Sequence, residues 1–366
     1  MSSVRSSRHE AVAAALRGLS DTGVSRLLAS AAAQGGGIGG ATAVVAVGGV
    51  PVFTKRLALT ALEQEPEHLR STANLFGLPT CCHYGVGAPS AGAWRELRAH
   101  EIASQWVLDG TCAGFPLLHH WRILPQDPPR GLDCAEHGDV DTWVAFWHDS
   151  GAVRQRLEAA SQASADLVLF LEHAPQDLST WLADRHAEGP EVVDAVLGSV
   201  VTQLVHAAER MSAEGLVHFD AHLRNVVVDG DRLYLTDFGL AMSSAFSLSV
   251  EEARFLRRHA EHDLAYVVTE LVNWAVTHLT EASGTWRHPS ERNAYVAACA
   301  GGHSPPELLP TAAALVRRYA PVAAVMNDFS FALHGSSRLT PYPEQDVRAA
   351  CRAADLAPAA RGAPER

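Results

Sequence analysis

Residues 215–241 read GLVHFDAHLRNVVVDGDRLYLTDFGLA. His218, Asp220 and Asn225 stand in the pattern H-x-D-x-x-x-x-N, and Asp237-Phe238-Gly239 begins twelve residues after Asn225. Between them lie two apolar runs, 226–228 and 233–235, joined by Asp229-Gly230, a strong tight-turn signal. The pattern predicts a loop, a short hairpin and a second loop, with the hairpin bringing Asn225 and Asp237 side by side. An amide oxygen and a carboxylate, next to the carboxylate of Asp220, suit Mg²⁺ and a phosphoryl group, because hard cations prefer oxygen ligands.

Working outward, residues 35–40 read GGGIGG, and Gly35, Gly37 and Gly40 fit G-x-G-x-x-G. Residues 43–47 are strand-like, Gly48-Gly49 is a turn, and 50–57 (VPVFTKRL) form a second strand. Lys55 falls on that strand, and Arg56 points to its opposite face because strand side chains alternate. Residues 60–92 are irregular, with Pro66, Pro79 and Pro89, and the Cys81-Cys82-His83 triplet within them reads as structural. Ala93–Leu108 has helical periodicity. Trp94, Leu97, Glu101 and Leu108 fall near one face, and Glu96, His100, Ala103 and Val107 near the next.

A strand is expected over 115–124, then an insertion-like region over 125–165 with a solvated acidic patch at 133–141 and a helix at 153–163. Residues 166–172 (DLVLFLE) read as a buried strand, and Asp177 opens a helix. Pro190–Ala213 is a long helix with proline at its favoured first position and an apolar stripe from Val193 to Ala208. Beyond Gly239, Ser249 and Glu252 form a capping box that starts a helix. His262-Asp263 opens an apolar helix over 264–276. Residues 280–310 read as loop, and 311–326 and 343–354 as helices.

This set resembles the catalytic core of the protein-kinase-like superfamily over residues 27–280. The resemblance implies an α+β, bilobal fold. A small N-terminal lobe would hold an antiparallel sheet and one main helix, and a larger C-terminal lobe would be mainly helical. Its implied divisions are an N-terminal extension over 1–24, an N-lobe over 25–172 with insertions near 60–92 and 125–165, a C-lobe over 173–356, and a disordered tail over 357–366. It further implies ATP as cofactor, with Gly35, Gly37, Gly40 and Lys55 on the phosphates. A helix glutamate would pair with Lys55, Glu96 being the first choice and Glu101 the second. Backbone near Glu172 and Ala174 would meet adenine. Asn225 and Asp237 would hold Mg²⁺, and Asp220 would orient the acceptor hydroxyl. His218 would brace the D-F-G backbone, and Asp263 would support the catalytic loop while capping its own helix.

Two features depart from a eukaryotic Ser/Thr kinase. His222 stands where that family has lysine, so H-x-D-x-H-x-x-N is closer to the aminoglycoside and choline phosphotransferases. No A-P-E signature follows the D-F-G triplet, which itself is intact. His222 is expected to hydrogen-bond the γ-phosphate or Asp220. The expected reaction is transfer of the ATP γ-phosphate to a hydroxyl, first of a protein Ser or Thr. A small-molecule hydroxyl, or a nucleotide-binding scaffold without turnover, are the alternatives.

Composition bounds the rest. The 366 residues are 47% hydrophobic with eight Trp, enough for a sizeable core. A net charge of −12 disfavours a nucleic-acid partner, which needs a basic face. Six cysteines without a C-x-x-C pair read as reduced thiols of a cytoplasmic protein. No signal-peptide core is visible, and no run approaches the ~20 apolar residues of a membrane span, so no membrane partner is expected.

Overall fold

The computed structural model describes residues 3–37, 40–85, 87–126, 139–280, 286 and 288–356. It is a mixed α and β structure with antiparallel sheets. The chain divides into two compact units: unit 1 comprises Met1–Ala174 and Asp237–Ala253, and unit 2 comprises Pro175–Thr236 and Arg254–Arg366. The segment from Asp237 thus belongs to unit 1, a crossing that the expected division at 172/173 did not contain.

Unit 1 runs α1 (Ser3–Gly18), α2 (Asp21–Ala29), β1 (Ala32–Gly37), β2 (Gly40–Val47), β3 (Val50–Leu59), α3 (Ala61–Gln64), α4 (Ala93–Leu108), β4 (Leu118–Pro125), α5 (Val140–Phe146), α6 (Gly151–Ser161) and β5 (Ala165–Glu172). The five strands form one sheet in the order β1-β2-β3-β5-β4. Alternation along β5 explains why this sheet carries helices on both faces. Val168 and Phe170 enter one core with Val12, Leu16 and Val24 of α1 and α2. Leu167, Leu169 and Leu171 enter the other with Ala93, Trp94 and Leu97 of α4. Each fully buried side chain of this kind contributes about 1.5–3 kcal/mol. The expected extension over 1–24 is therefore a covering layer of the sheet: α1 buries Val12 and Leu16 at 1% and 0% exposure.

Two further expectations change. Gly35 and Gly37, which precede the strand expected from residue 43, lie in a strand of their own, β1, where Gly37 pairs with Gly40 of β2. Ile38 and Gly39 between them lie outside the described residues. The irregular regions 60–92 and 125–165 also share a core of their own: Phe76, Leu78 and Cys82 pack with Trp143, Trp147 and Leu157. Residues 127–138 of the second region, with most of the acidic patch, lie outside the described residues. The Gly48-Gly49 turn is as expected, with φ of 57° and 81° between paired Val47 and Val50, the conformation of a tight hairpin turn.

Unit 2 runs β6 (Gln176–Asp177), α7 (Leu178–Glu188), α8 (Pro190–Ala213), a hairpin over residues 226–235, the end of α9 (Val250–Arg258), α10 (His262–Leu279), α11 (Pro289–Ala300), α12 (Pro310–Gly335) and α13 (Glu344–Ala353). In the hairpin Asp229 pairs with Arg232, so the turn residues are Gly230 and Asp231, one place later than expected. α9 starts on the predicted capping box: Ser249 N–H donates to Glu252 Oε2 at 2.9 Å, and Glu252 N–H to Ser249 Oγ at 3.1 Å. α11 was read as loop because it buries little, Val296 and Cys299 alone, and so has no apolar stripe. Among the described residues one helix, α8, is long and apolar enough to cross a membrane by length and composition. In the fold Val193, Leu197, Val200 and Leu204 of that helix are buried.

Candidate active site

In unit 1 the register of the sheet fixes Lys55 between Thr42 of β2 and Leu169 of β5. Its Nζ lies 2.7 Å from Glu96 Oε1 of α4 and 2.7 Å from Asp237 Oδ1. Lys55 and Glu96 are buried, whereas the Asp237 side chain is 40% exposed, so one edge of the cluster meets solvent. Burial alone would lower the Lys55 ammonium pKa, but the Asp237 and Glu96 carboxylates outweigh it and hold it above its ordinary value. Burial pushes Glu96 up to about 7 against the pull of Lys55. Glu101, the second choice, instead pairs on the surface with Arg70 at 2.7 Å. Arg56 turns to the other face as expected and pairs with buried Asp166 at 2.6 Å.

The D-F-G segment is held from several sides within this unit. Asp237 has φ 66°, the left-handed region that non-glycine residues rarely adopt. Its Oδ1 also accepts the Gly239 N–H at 3.2 Å. A side chain at Gly239 would crowd both acids, its Cβ falling 3.2 Å from Asp237 Oδ1 and 3.3 Å from Glu96 Oε2. Phe238 is fully buried, with the His100 ring edge-on at 4.9 Å. His83 Nδ1 bonds the Leu240 carbonyl at 2.7 Å, which gives the Cys81-Cys82-His83 triplet a structural use.

In unit 2 the residues of the H-x-D-x-x-x-x-N motif form a second cluster. His218 Nδ1 accepts the Asp220 N–H at 3.2 Å, so its Nε2–H donates to the Thr236 carbonyl at 2.9 Å, one residue before the D-F-G triplet. The Asp263 carboxylate accepts the N–H of His218 at 2.6 Å and of Phe219 at 3.0 Å. Glu261, not Asp263, is the N-cap residue of α10. Asn225 Nδ2 donates to both the backbone carbonyl and Oδ2 of Asp220, at 2.9 and 3.1 Å. His222 does not reach Asp220, one of the two partners expected for it. Its Nδ1 accepts the Asn225 N–H at 3.2 Å, capping the turn Leu223–Asn225, and its Nε2 is 3.8 Å from Asp220 Oδ2, too far for a hydrogen bond.

Lys55, Glu96 and Asp237 therefore come together in unit 1, and Asp220, His222 and Asn225 in unit 2. Gly40 has a packing reason of its own: at φ 110°, a Cβ there would sit 2.3 Å from the Arg56 carbonyl oxygen. Glu172 ends β5, its N–H bound to the Leu117 carbonyl at 2.8 Å. Its carboxylate is gripped by Arg5 at 2.6 Å. Ala174 is the last residue of unit 1's first stretch.

Several supporting residues escaped the sequence reading. Arg5 is one. A second is the buried Arg95–Glu252 pair at 2.7 Å. A third is Glu63, which accepts the Thr60 N–H at 3.0 Å and the Ala93 N–H at 2.8 Å and meets Arg156 at 3.2 Å. Glu63 carried a readable signal, the T-x-x-E capping box, and Glu252 was legible as a cap but not as the partner of Arg95.

Each unit taken by itself offers oxygen atoms of the kind Mg²⁺ takes. Asn225 presents its amide nitrogen to Asp220, which leaves Oδ1, an atom able to bind a cation, with no hydrogen bond among the described residues. Asp237 offers a part-exposed carboxylate beside a buried cation. Carboxylate and amide oxygens are the ligands Mg²⁺ takes, usually together with phosphate oxygens and water. No protein-family model matches the chain, and no curated protein matches it.

Proposed function

We propose that this protein is an ATP- and Mg²⁺-dependent phosphotransferase with a kinase-like bilobal fold, moving the γ-phosphate to a hydroxyl. The observation that carries this reading is Lys55, buried on a strand between a helix glutamate and the aspartate of a D-F-G triplet. In this reading Lys55, oriented by Glu96, offsets the phosphate charge, and Gly35, Gly37 and Gly40 belong to the hairpin that covers the phosphates. Asn225 and Asp237 would hold Mg²⁺, which neutralises charge on the transferring group. Asp220 accepts the proton of the attacking hydroxyl. Its Oδ2 is fixed by Asn225 Nδ2, and Oδ1 has no partner among the described residues.

For the acceptor, a small-molecule hydroxyl is favoured over a protein Ser or Thr. His222 replaces the kinase lysine, and α9 begins at Val250, leaving a short segment after Gly239 for docking a peptide.

The test combines binding and turnover. ATP with Mg²⁺ should raise the melting temperature of the full-length protein, and Asp237→Ala should abolish that gain. ATP turnover should fall by at least ~100-fold in Asp220→Ala. No stabilisation of the wild type by ATP would refute the nucleotide site. Equal turnover in Asp220→Ala would refute the assignment of the base.

A further inference from the structure

Within unit 2 a cleft of about 430 Å³ opens beside the catalytic loop. Small-molecule sites commonly enclose ~300–1,000 Å³. His222, Arg224, Glu270, Trp274, His278 and Arg292 are among its walls. The lining holds two guanidinium groups and two imidazoles against one carboxylate, in a protein whose net charge is −12. A cationic cleft in an acidic protein concentrates anions at that place.

The one carboxylate is already engaged: Glu270 accepts the Leu223 N–H of the catalytic loop, and burial raises its pKa against the pull of His222 and Arg292. No ion pair joins Glu270 to Arg292 among the described residues. Arg292 Nε is buried without a hydrogen-bond partner among those residues. Its Nη2 reaches only the adjacent Asn293 Oδ1, at 3.1 Å. A guanidinium so poorly satisfied by protein is matched by a carboxylate or phosphate, which takes two of its donors at once. Trp274, 6% exposed, supplies an apolar wall. His222 links the cleft to the base: its Nδ1 is fixed on Asn225, and its Nε2–H lies on the side of Asp220.

We propose that the phosphoryl acceptor is a small hydroxyl-bearing anion, a hydroxycarboxylate or a phosphomonoester, whose charge is read by Arg292 and Arg224 in this cleft. The proposal rests on the phosphotransferase reading above. The acceptor oxygen forms a bond to the γ-phosphorus as the bond from that phosphorus to the β,γ-bridging oxygen breaks. ADP leaves with that electron pair, and the hydroxyl proton passes to Asp220 and then to solvent.

The test is calorimetric titration of the full-length protein with glycerol 3-phosphate, glycerate, glycerol and choline, followed by ADP release with ATP, Mg²⁺ and each compound. One or both anions should bind and stimulate ADP release, and which of them does so identifies the anionic group. Glycerol and choline should do neither. Arg292→Gln and Arg224→Gln should each weaken anion binding at least tenfold and raise the acceptor KM, and Arg224 is exposed, so its replacement leaves folding intact. Lys55→Met should leave anion binding unchanged, which separates this cleft from the nucleotide site.

Choline or glycerol binding as well as the anions, unchanged affinity in both arginine variants, or phosphate transfer to a Ser/Thr peptide in place of the anions would overturn the proposal. If ATP with Mg²⁺ stabilises the protein while no anion binds, the cleft assignment falls and the phosphotransferase reading stands. If anions bind but ATP does not, the phosphotransferase reading falls and the acceptor role falls with it.

Discussion

Asp263 holds Phe219 in a backbone conformation that a bulky residue rarely adopts. Phe219 has φ 67°, and its N–H reaches the Asp263 carboxylate at 3.0 Å. Burial alone would raise the Asp263 pKa, but the His262 ring and the loop amide overcome it and keep the carboxyl below its ordinary value. Rings of Phe255, His259 and His262 surround Phe219 at centroid distances of 5.5, 5.4 and 5.1 Å. The loop that aims Asp220 is thus fixed by a charge and by packing together.

Replacing Asp263 with alanine removes two backbone hydrogen bonds to a charged acceptor, each contributing about 1.5–3 kcal/mol, together with the contact to the His262 ring at 3.3 Å. Urea unfolding should show a loss of about 3 kcal/mol or more, and ATP turnover should fall with it. A loss below about 1 kcal/mol would mean that ring packing alone holds the loop.

Removing the Lys55 cation leaves Glu96 buried opposite Asp237 without a partner. Lys55→Met should therefore cost about 3–5 kcal/mol, as breaking a buried ion pair does. Adding Glu96→Leu removes the stranded carboxylate and should restore most of that stability. Activity should stay at least ~100-fold down in both variants. Recovery of activity in the double variant would show that the cluster serves only the fold.

Two glycines separate backbone freedom from close approach. Gly49→Ala, at φ 81° with nothing within 4 Å of a new Cβ, meets only the conformational cost of about 1–3 kcal/mol. Gly40→Ala adds a collision with the Arg56 carbonyl at 2.3 Å and should destabilise distinctly more. Equal melting temperatures for the two variants would contradict the β2–β3 register given above.

Buried His83 gives a pH signature. Burial lowers its pKa from 6.5 to about 4. Between those values the unfolded chain binds a proton that the native state refuses, so stability falls as pH drops from 6.5 towards 4. The full slope of one such proton is about 1.4 kcal/mol per pH unit. Chemical denaturation of His83→Gln across this window should show a shallower decline than the wild type. Parallel curves would place the acid sensitivity elsewhere, for example at His119, which burial lowers to about 3.

Much of this protein is local in origin and was legible as such. Caps, turns and periodicity depend on neighbours in sequence, so Ala93–Leu108, Pro190–Ala213, the Gly48-Gly49 turn and the Ser249–Glu252 box could be read directly. The motif residues of 218–239 and the strand bearing Lys55 were likewise set by order and spacing. What sequence left open were choices among equivalent candidates and pairings across long separations. Glu96 and Glu101 stand five residues apart on one helix, and only the packing of α4 against the sheet turns Glu96 inward to Lys55 and leaves Glu101 to Arg70. Arg5 meets Glu172 across 167 residues, a contact no periodicity encodes. Whether His222 bonds Asp220 was decided by a single distance, 3.8 Å, which withdraws it from that hydrogen bond while its ring caps a turn. Residue types and their spacing determined which groups are present; burial and the closing of distant segments on one another decided which of those groups face each other.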